Sequence, residues 1–304
     1  MFEIFFFWLG ILGIVHSLNT IVRFIRGYTG KKPDIKKKYN TNWVLITGAS
    51  SGTGKHLALK LAKDGLNIVG TGRDTTRFNS VAQQCRSLGV QFETVIADFA
   101  KPESVNTVVK AMEDKDIGVY FLCAGYGMVD DFFNFTEKQL IDFIESMVIS
   151  QTILYKYIIE KSKKRKSETL VYGIASLAAE AIFGTGQMYC TVKSYMSSMF
   201  RHLELEMRNE APNIHFQAIH PGPFAGSMFF NKVPQFVQNF IEKTQKFLLK
   251  DEDIADMMLY TMGNGIQVDV SSASLFSLFG YWLITKVGQN LVNRFFVWAK
   301  MHMK

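Results

Sequence analysis

Three observations predict an α/β fold built on a doubly wound parallel sheet. From residue 43 onward, short apolar runs alternate with helical stretches, the pattern of a parallel sheet covered on both faces. The first run, Trp43 to Ile46, opens directly into a glycine-rich turn, Thr47-Gly-Ala-Ser-Ser-Gly52-Thr-Gly54. Farther along, Tyr189-Cys-Thr-Val-Lys193 places a phenol and an ammonium four residues apart, with Ser176 thirteen positions upstream.

The expected strands are Trp43 to Ile46, Asn67 to Thr71, Val90 to Ala97, Val119 to Cys123, Thr169 to Ala175 and His215 to Ile219, with Ile266 to Val270 as a candidate seventh. The helices between them are expected over about 54 to 64, 76 to 88, 102 to 114, 137 to 161 and 189 to 209. Right-handed crossovers assemble these into an open Rossmann-type sheet, which binds ligands at the carboxyl ends of its strands.

With 304 residues, 48% of them hydrophobic, the chain suffices for one large domain with additions at its ends. The expected division is a membrane anchor at 1–25, a basic linker at 26–41, a catalytic domain at 42–272 and an amphipathic segment at 273–304. The net charge of +7 is gathered at 23–38 and 161–166 and forms no stripe with interleaved aromatics, so no nucleic acid is expected. An anionic membrane face or an acidic substrate fits better. Cys85, Cys123 and Cys190 are odd in number and widely spaced, which suggests a reducing compartment and no metal site.

Residues 4–22 carry no formal charge and approach the ~20 residues of a spanning helix. Arg23, Arg26, Lys31, Lys32 and Lys36 to Lys38 follow, and this positive bias puts the catalytic domain on the cytosolic side. The competing reading is a cleavable signal peptide, against which the Met-Phe-Glu start counts. His16, Ser17 and Asn19 weaken the span and leave an interfacial or hairpin-like insertion open. Residues 273–304 are rich in Leu, Phe and Trp but broken by Lys286, Gln289, Asn290, Asn293 and Arg294. They read as an amphipathic helix on the membrane or over the substrate mouth, or as core packing.

The chemistry sits in three places. At Gly48, Gly52 and Gly54 the backbone can approach a pyrophosphate, and helix-terminal N–H groups can point at it. At the end of the second strand, Gly72-Arg73-Asp74 offers two options: an acid holds a ribose diol, whereas a guanidinium pairs with a 2′-phosphate. Arg73 takes the nearer position, which favours NADPH/NADP+; the alternative is NAD held by Asp74. Tyr189 and Lys193 share one helix face, so the ammonium can favour the ionised phenol and make Tyr189 a proton donor. Ser176 closes the strand Thr169 to Ser176 and should emerge where ligands bind.

Read together, these residues resemble the short-chain dehydrogenase/reductase family, over about Trp43 to Met228. The resemblance makes Thr47, Gly48, Ser50, Ser51, Gly52, Thr53 and Gly54 a dinucleotide loop and Asp98 an adenine contact. It makes Cys123-Ala124-Gly125 the counterpart of the family's Asn-Asn-Ala-Gly strand end and Pro221-Gly222 the turn beside the nicotinamide. Ser176, Tyr189 and Lys193 match its catalytic set, with Lys193 also gripping the ribose. Gly54-Lys55, Ala97-Asp98-Phe99, Ile117-Gly118-Val119 and the apolar N-terminus are most similar to microsomal very-long-chain 3-oxoacyl-CoA reductases and the 17β-hydroxysteroid dehydrogenases grouped with them.

That subgroup implies NADPH-dependent reduction of long-chain 3-oxoacyl-CoA in fatty-acid elongation at the endoplasmic reticulum. The alternatives are a steroid 17β- or other hydroxysteroid dehydrogenase, a 3-ketosphinganine reductase, or a retinoid reductase. The segment from Pro223 to about Leu249 is expected to be a lid whose aromatics, such as Phe229, Phe236 and Phe240, line an acyl channel or simply pack. Many members dimerise through the two helices near 137–161 and 189–209, so a homodimer is the matching expectation. The chain departs from the family at Met147, where an Asn commonly holds a relay water, at Gly226, where a Thr binds the carboxamide, and at Leu122. A thioether cannot donate a hydrogen bond, so the relay would pass through Ser146, Ser150 or bulk water. These departures motivate an alternative of another class, a catalytically impaired, cofactor-binding membrane scaffold.

Overall fold

The computed structural model describes residues 31–179, 186–222, 249–263 and 267–270. Seven strands form one parallel sheet: β1 (Trp43–Thr47), β2 (Asn67–Gly72), β3 (Phe92–Ile96), β4 (Ile117–Leu122), β5 (Thr169–Ile174), β6 (Ile214–Pro221) and β7 (Gln267–Val270). Their order is β3-β2-β1-β4-β5-β6-β7. The chain winds outward from β1 to β3, then crosses back to β4 on the other side of β1. The crevice at this reversal, between β1 and β4, is where such sheets bind ligands.

All seven expected strands are present. β3 starts two residues later than expected because Gly89 turns at φ +85° and the Gln91 N–H donates to Asn67 Oδ1 at 2.9 Å before pairing begins. The helices are α1 (Ile35–Tyr39), α2 (Gly52–Lys63), α3 (Thr75–Arg86), α4 (Val105–Met112), α5 (Glu137–Ile144), α6 (Ser150–Ser162), α7 (Gln187–Glu210) and α8 (Asp251–Thr261). The single long helix expected over 137–161 is divided by a π-helical turn, Glu145–Ile149.

Alternation along the strands sends side chains to two cores. Val44 and Ile46 of β1 face one, with Leu57 and Leu61 of α2, Phe78 of α3 and Met258 of α8; Leu45 faces the other, with Val108 of α4, Leu154 of α6 and Phe200 of α7. α1 falls in the stretch expected to be a linker. Asp34 caps it by accepting from the Lys37 N–H at 3.2 Å, and Ile35 and Tyr39 are buried in the first core. Arg165 Nη2 donates to Tyr39 O at 2.7 Å, which fixes α1 at the amino ends of the strands.

Phe200 of α7 packs its ring on the backbone of β5. A Cβ on Gly173 would come 2.6 Å from Phe200 Cζ, so only the bare glycine backbone lets the helix settle there. At its far end Glu204 Oε2 accepts from the Phe216 N–H at 2.7 Å and ties α7 to β6. Among the described residues no helix is long and apolar enough to cross a membrane. The expected anchor, the amphipathic segment at 273–304 and nearly all of the expected lid lie outside the described residues.

Candidate active site

A cleft of about 570 Å³ opens at the carboxyl ends of β1, β2, β4 and β5. It is lined by Gly48, Ser50 to Gly54, Arg73, Ala124, Gly125, Ser176, Tyr189, Lys193 and Pro221. Residues spread over more than 170 sequence positions thus meet at one place, as the spacing anticipated.

The glycine turn is held from below: the Gly48 N–H donates to Thr71 Oγ1 at 3.2 Å and the Ala49 N–H to Thr71 O at 2.8 Å. Gly48 and Gly52 adopt φ of +70° and +54°, and a Cβ on Gly54 would lie 2.4 Å from Gly48 O. The turn therefore admits only glycine at these points. Ser51, the N-cap of α2, makes no side-chain cap, so the first-turn N–H groups donate no hydrogen bond to its hydroxyl. An open helix start behind a bare backbone turn fits the diphosphate of a dinucleotide.

Two expected contacts stand apart from the cleft wall. Thr47 is fully buried and its Oγ1 accepts from the Ala124 N–H at 3.0 Å, so it fastens β1 to the end of β4 and has no surface to offer a cofactor. Asp98 lies between the lining residues Ala97 and Phe99, and its Oδ1 is 3.6 Å from Arg73 Nη1 and accepts from the Ala100 N–H at 3.3 Å. Gly222 follows Pro221 at the end of a described segment; Gly226 and Ser227 lie outside the described residues.

Asp74 is committed elsewhere. It caps α3, accepting from the Arg77 N–H at 3.0 Å and from Arg77 Nε at 2.5 Å, and these bonds hold its carboxyl below the usual range. A ribose diol would have to compete with both. Arg73 is largely exposed, 5.7 Å over the Tyr126 ring, and shares the cleft wall with Arg77. Sequence reasoning missed Arg77, although its position three residues after a helix-capping Asp was the available signal.

Lys193 is buried, donates from Nζ to Ile174 O at 2.7 Å and sits 5.8 Å from the centre of the Tyr189 ring. Burial lowers its ammonium to about 8, against an opposing effect of Cys123. Burial likewise pushes the Tyr189 phenol up, while its hydrogen bond with Ser176 acts in the other direction. Burial thus acts against the acidification expected from Lys193. Desolvation is the largest cause on both groups, which leave water together.

The π-helical turn brings Ser146 to the cleft, while Met147 is fully buried and its Cε lies 3.2 Å from where a Gly125 Cβ would be. Ser150 is spoken for, donating to Phe99 O at 2.7 Å, so it drops out of the expected relay. Asp251, at the start of α8, also lines the cleft and accepts from Thr53 Oγ1 at 3.0 Å. No sequence signal pointed to it.

The family model for short chain dehydrogenases matches residues 42–235. A farnesol dehydrogenase of Aedes aegypti is 25% identical over 237 residues, covering 76% of this chain and 94% of its own. A very-long-chain 3-oxoacyl-CoA reductase of Mycosarcoma maydis is 29% identical over 190 residues, 60% of this chain and 52% of its own. Among solved structures, a 7β-hydroxysteroid dehydrogenase superposes with a TM-score of 0.71 at 21% identity, over 86% of this chain and 99% of that one, and shares the fold.

The electrostatics give a direct test. Followed by NMR on the cofactor-free protein, the Lys193 side-chain amine should titrate at about 8. A titration near the ordinary value of 10.5 would show that the ammonium is solvated and the site more open than described.

Proposed function

The chain belongs to the short chain dehydrogenase family, and from that premise we propose that it is a membrane-anchored, NADPH-dependent reductase of a lipophilic ketone. One observation carries the reading: the Ser176–Tyr189 hydrogen-bonded pair and the buried Lys193 open into the same cleft as the glycine turn. NADPH, when bound, supplies the hydride. Gly48 and Ser50 to Gly54 would hold its diphosphate, Arg73 its 2′-phosphate, Asp98 the adenine edge, and Ala124, Gly125, Pro221, Gly222 and Lys193 the nicotinamide end.

Ser176 hydrogen-bonds the substrate oxygen as charge develops there, and Tyr189 passes its proton to that oxygen. Because burial raises the phenol, Tyr189 stays protonated through the neutral range and is ready to give. Lys193, in contact with the ring, stabilises the phenolate left behind. Ser146 is the hydroxyl on the π-helical turn through which the proton is restored from solvent.

The substrate is assigned as the 3-oxo group of a long-chain 3-oxoacyl-CoA. In support, Tyr126 of the cleft wall belongs to an adaptable cluster in which it, Met128 and Met188 pack on Phe143, Met147 and Met196. Unbranched thioethers suit a flexible apolar chain. A steroid or 3-ketosphinganine would use the same wall, and the similar proteins carry names of an isoprenoid alcohol, an acyl-CoA and a steroid alcohol. Residues 1–25 would hold the enzyme in the endoplasmic reticulum membrane with the catalytic domain cytosolic, where such substrates concentrate. A second reading, an impaired cofactor-binding scaffold, is favoured by the buried thioether of Met147.

Detergent-solubilised protein should oxidise NADPH with a long-chain 3-oxoacyl-CoA, and Tyr189→Phe should lower kcat by about 10²–10⁴. Oxidation with estrone or 3-ketosphinganine alone would move the assignment to those substrates; none above the Tyr189→Phe background with any of them would leave the scaffold. Arg73→Ala should raise KM for NADPH about tenfold or more and spare NADH. An unchanged NADPH constant would remove the 2′-phosphate role. The full chain should stay in the membrane pellet through alkaline carbonate extraction, and its release would contradict a spanning anchor.

A further inference from the structure

α8 begins against the start of α2, and its first three residues are Asp251, Glu252 and Asp253. Glu252 pairs with Lys60 at 3.0 Å, and the Asp253 carboxylate accepts from the Lys250 N–H at 2.7 Å. Asp251 turns instead to the glycine turn. Its Oδ1 accepts from Thr53 Oγ1 at 3.0 Å and would lie 3.2 Å from a Cβ on Gly52. It thereby lines the cleft alongside Ser51 and Gly48.

A carboxylate at the first turn of a helix is stabilised by the same N–H groups and the same dipole that attract a phosphate. Ser51 offers α2 no side-chain cap, so this helix start has attraction to spare. We propose that Asp251 is an internal competitor for the diphosphate cradle and sets how tightly this chain holds its dinucleotide. The inference rests on reading the cleft as a dinucleotide site. When the diphosphate is seated, its charge and that of Asp251 share one helix start, and their repulsion weakens binding. In an open cleft with a dielectric near that of water, one unit charge about 4 to 6 Å away corresponds to about three- to tenfold in affinity.

Asp251→Asn isolates the charge, since the amide oxygen can still accept from Thr53. On the full chain in detergent, titrated with NADPH and followed by nicotinamide fluorescence, the variant should bind about three- to tenfold more tightly than the parent. The difference should narrow as salt is raised. Asp251→Glu keeps the charge and should bind like the parent, with melting curves confirming that both variants fold. Adenosine 2′-monophosphate, which lacks the diphosphate, should compete equally with parent and Asn variant. Equal or weaker NADPH binding by the folded Asn variant overturns the proposal while leaving the cofactor site standing. Failure of the parent to bind NADPH overturns both.

Discussion

The site depends on two side chains of α7 that meet the backbone of β5. Gly173 leaves room for the Phe200 ring directly on the strand backbone, and that contact brings the helix near enough for Lys193 to reach the Ile174 carbonyl at 2.7 Å. Ser176 leaves the same strand two residues later and meets Tyr189 on the helix. A wider spacing would return the ammonium to water and separate the two hydroxyls. The backbone of one strand thus sets the register of all three polar groups.

That closeness has an electrostatic effect of its own. Removing water from around Tyr189 and Lys193 disfavours the charged form of each, so the phenol rises and the ammonium falls. The polypeptide by itself builds a site in which a neutral phenol stands beside an ammonium lowered to about 8. An anionic ligand entering the cleft supplies the opposite charge that favours the ammonium, and the charged lysine then favours the phenolate.

Much of this was legible in the letters, for local reasons. The strands announce themselves as short apolar runs between helical stretches, and the glycine turn follows β1 without interruption. Ser176, Tyr189 and Lys193 lie within eighteen residues on one strand and one helix, so their meeting required only that these two elements pack. What escaped reading depends on distance or burial. Asp251 is 198 positions from the threonine it accepts from. Thr47 reads as a loop residue until its hydroxyl is found accepting from the N–H of Ala124. The direction of the pKa shifts follows from desolvation, which spacing does not encode. α1 was legible in principle: Asp34 precedes an apolar pair, Ile35 and Tyr39, at helical spacing, but the surrounding lysines obscured it.

The place where α1 joins the core bears on how a tethered enzyme would meet lipid. Arg165 pins Tyr39 at the amino pole of the sheet, whereas the cleft opens at the carboxyl pole. The nine residues at 26–34, between the expected anchor and α1, reach at most about 30 Å when fully drawn out. An upright domain on that leash would carry its mouth away from the bilayer. Were such an anchor present, a hydrophobic guest could pass inward without crossing water only if the body reclined on its flank.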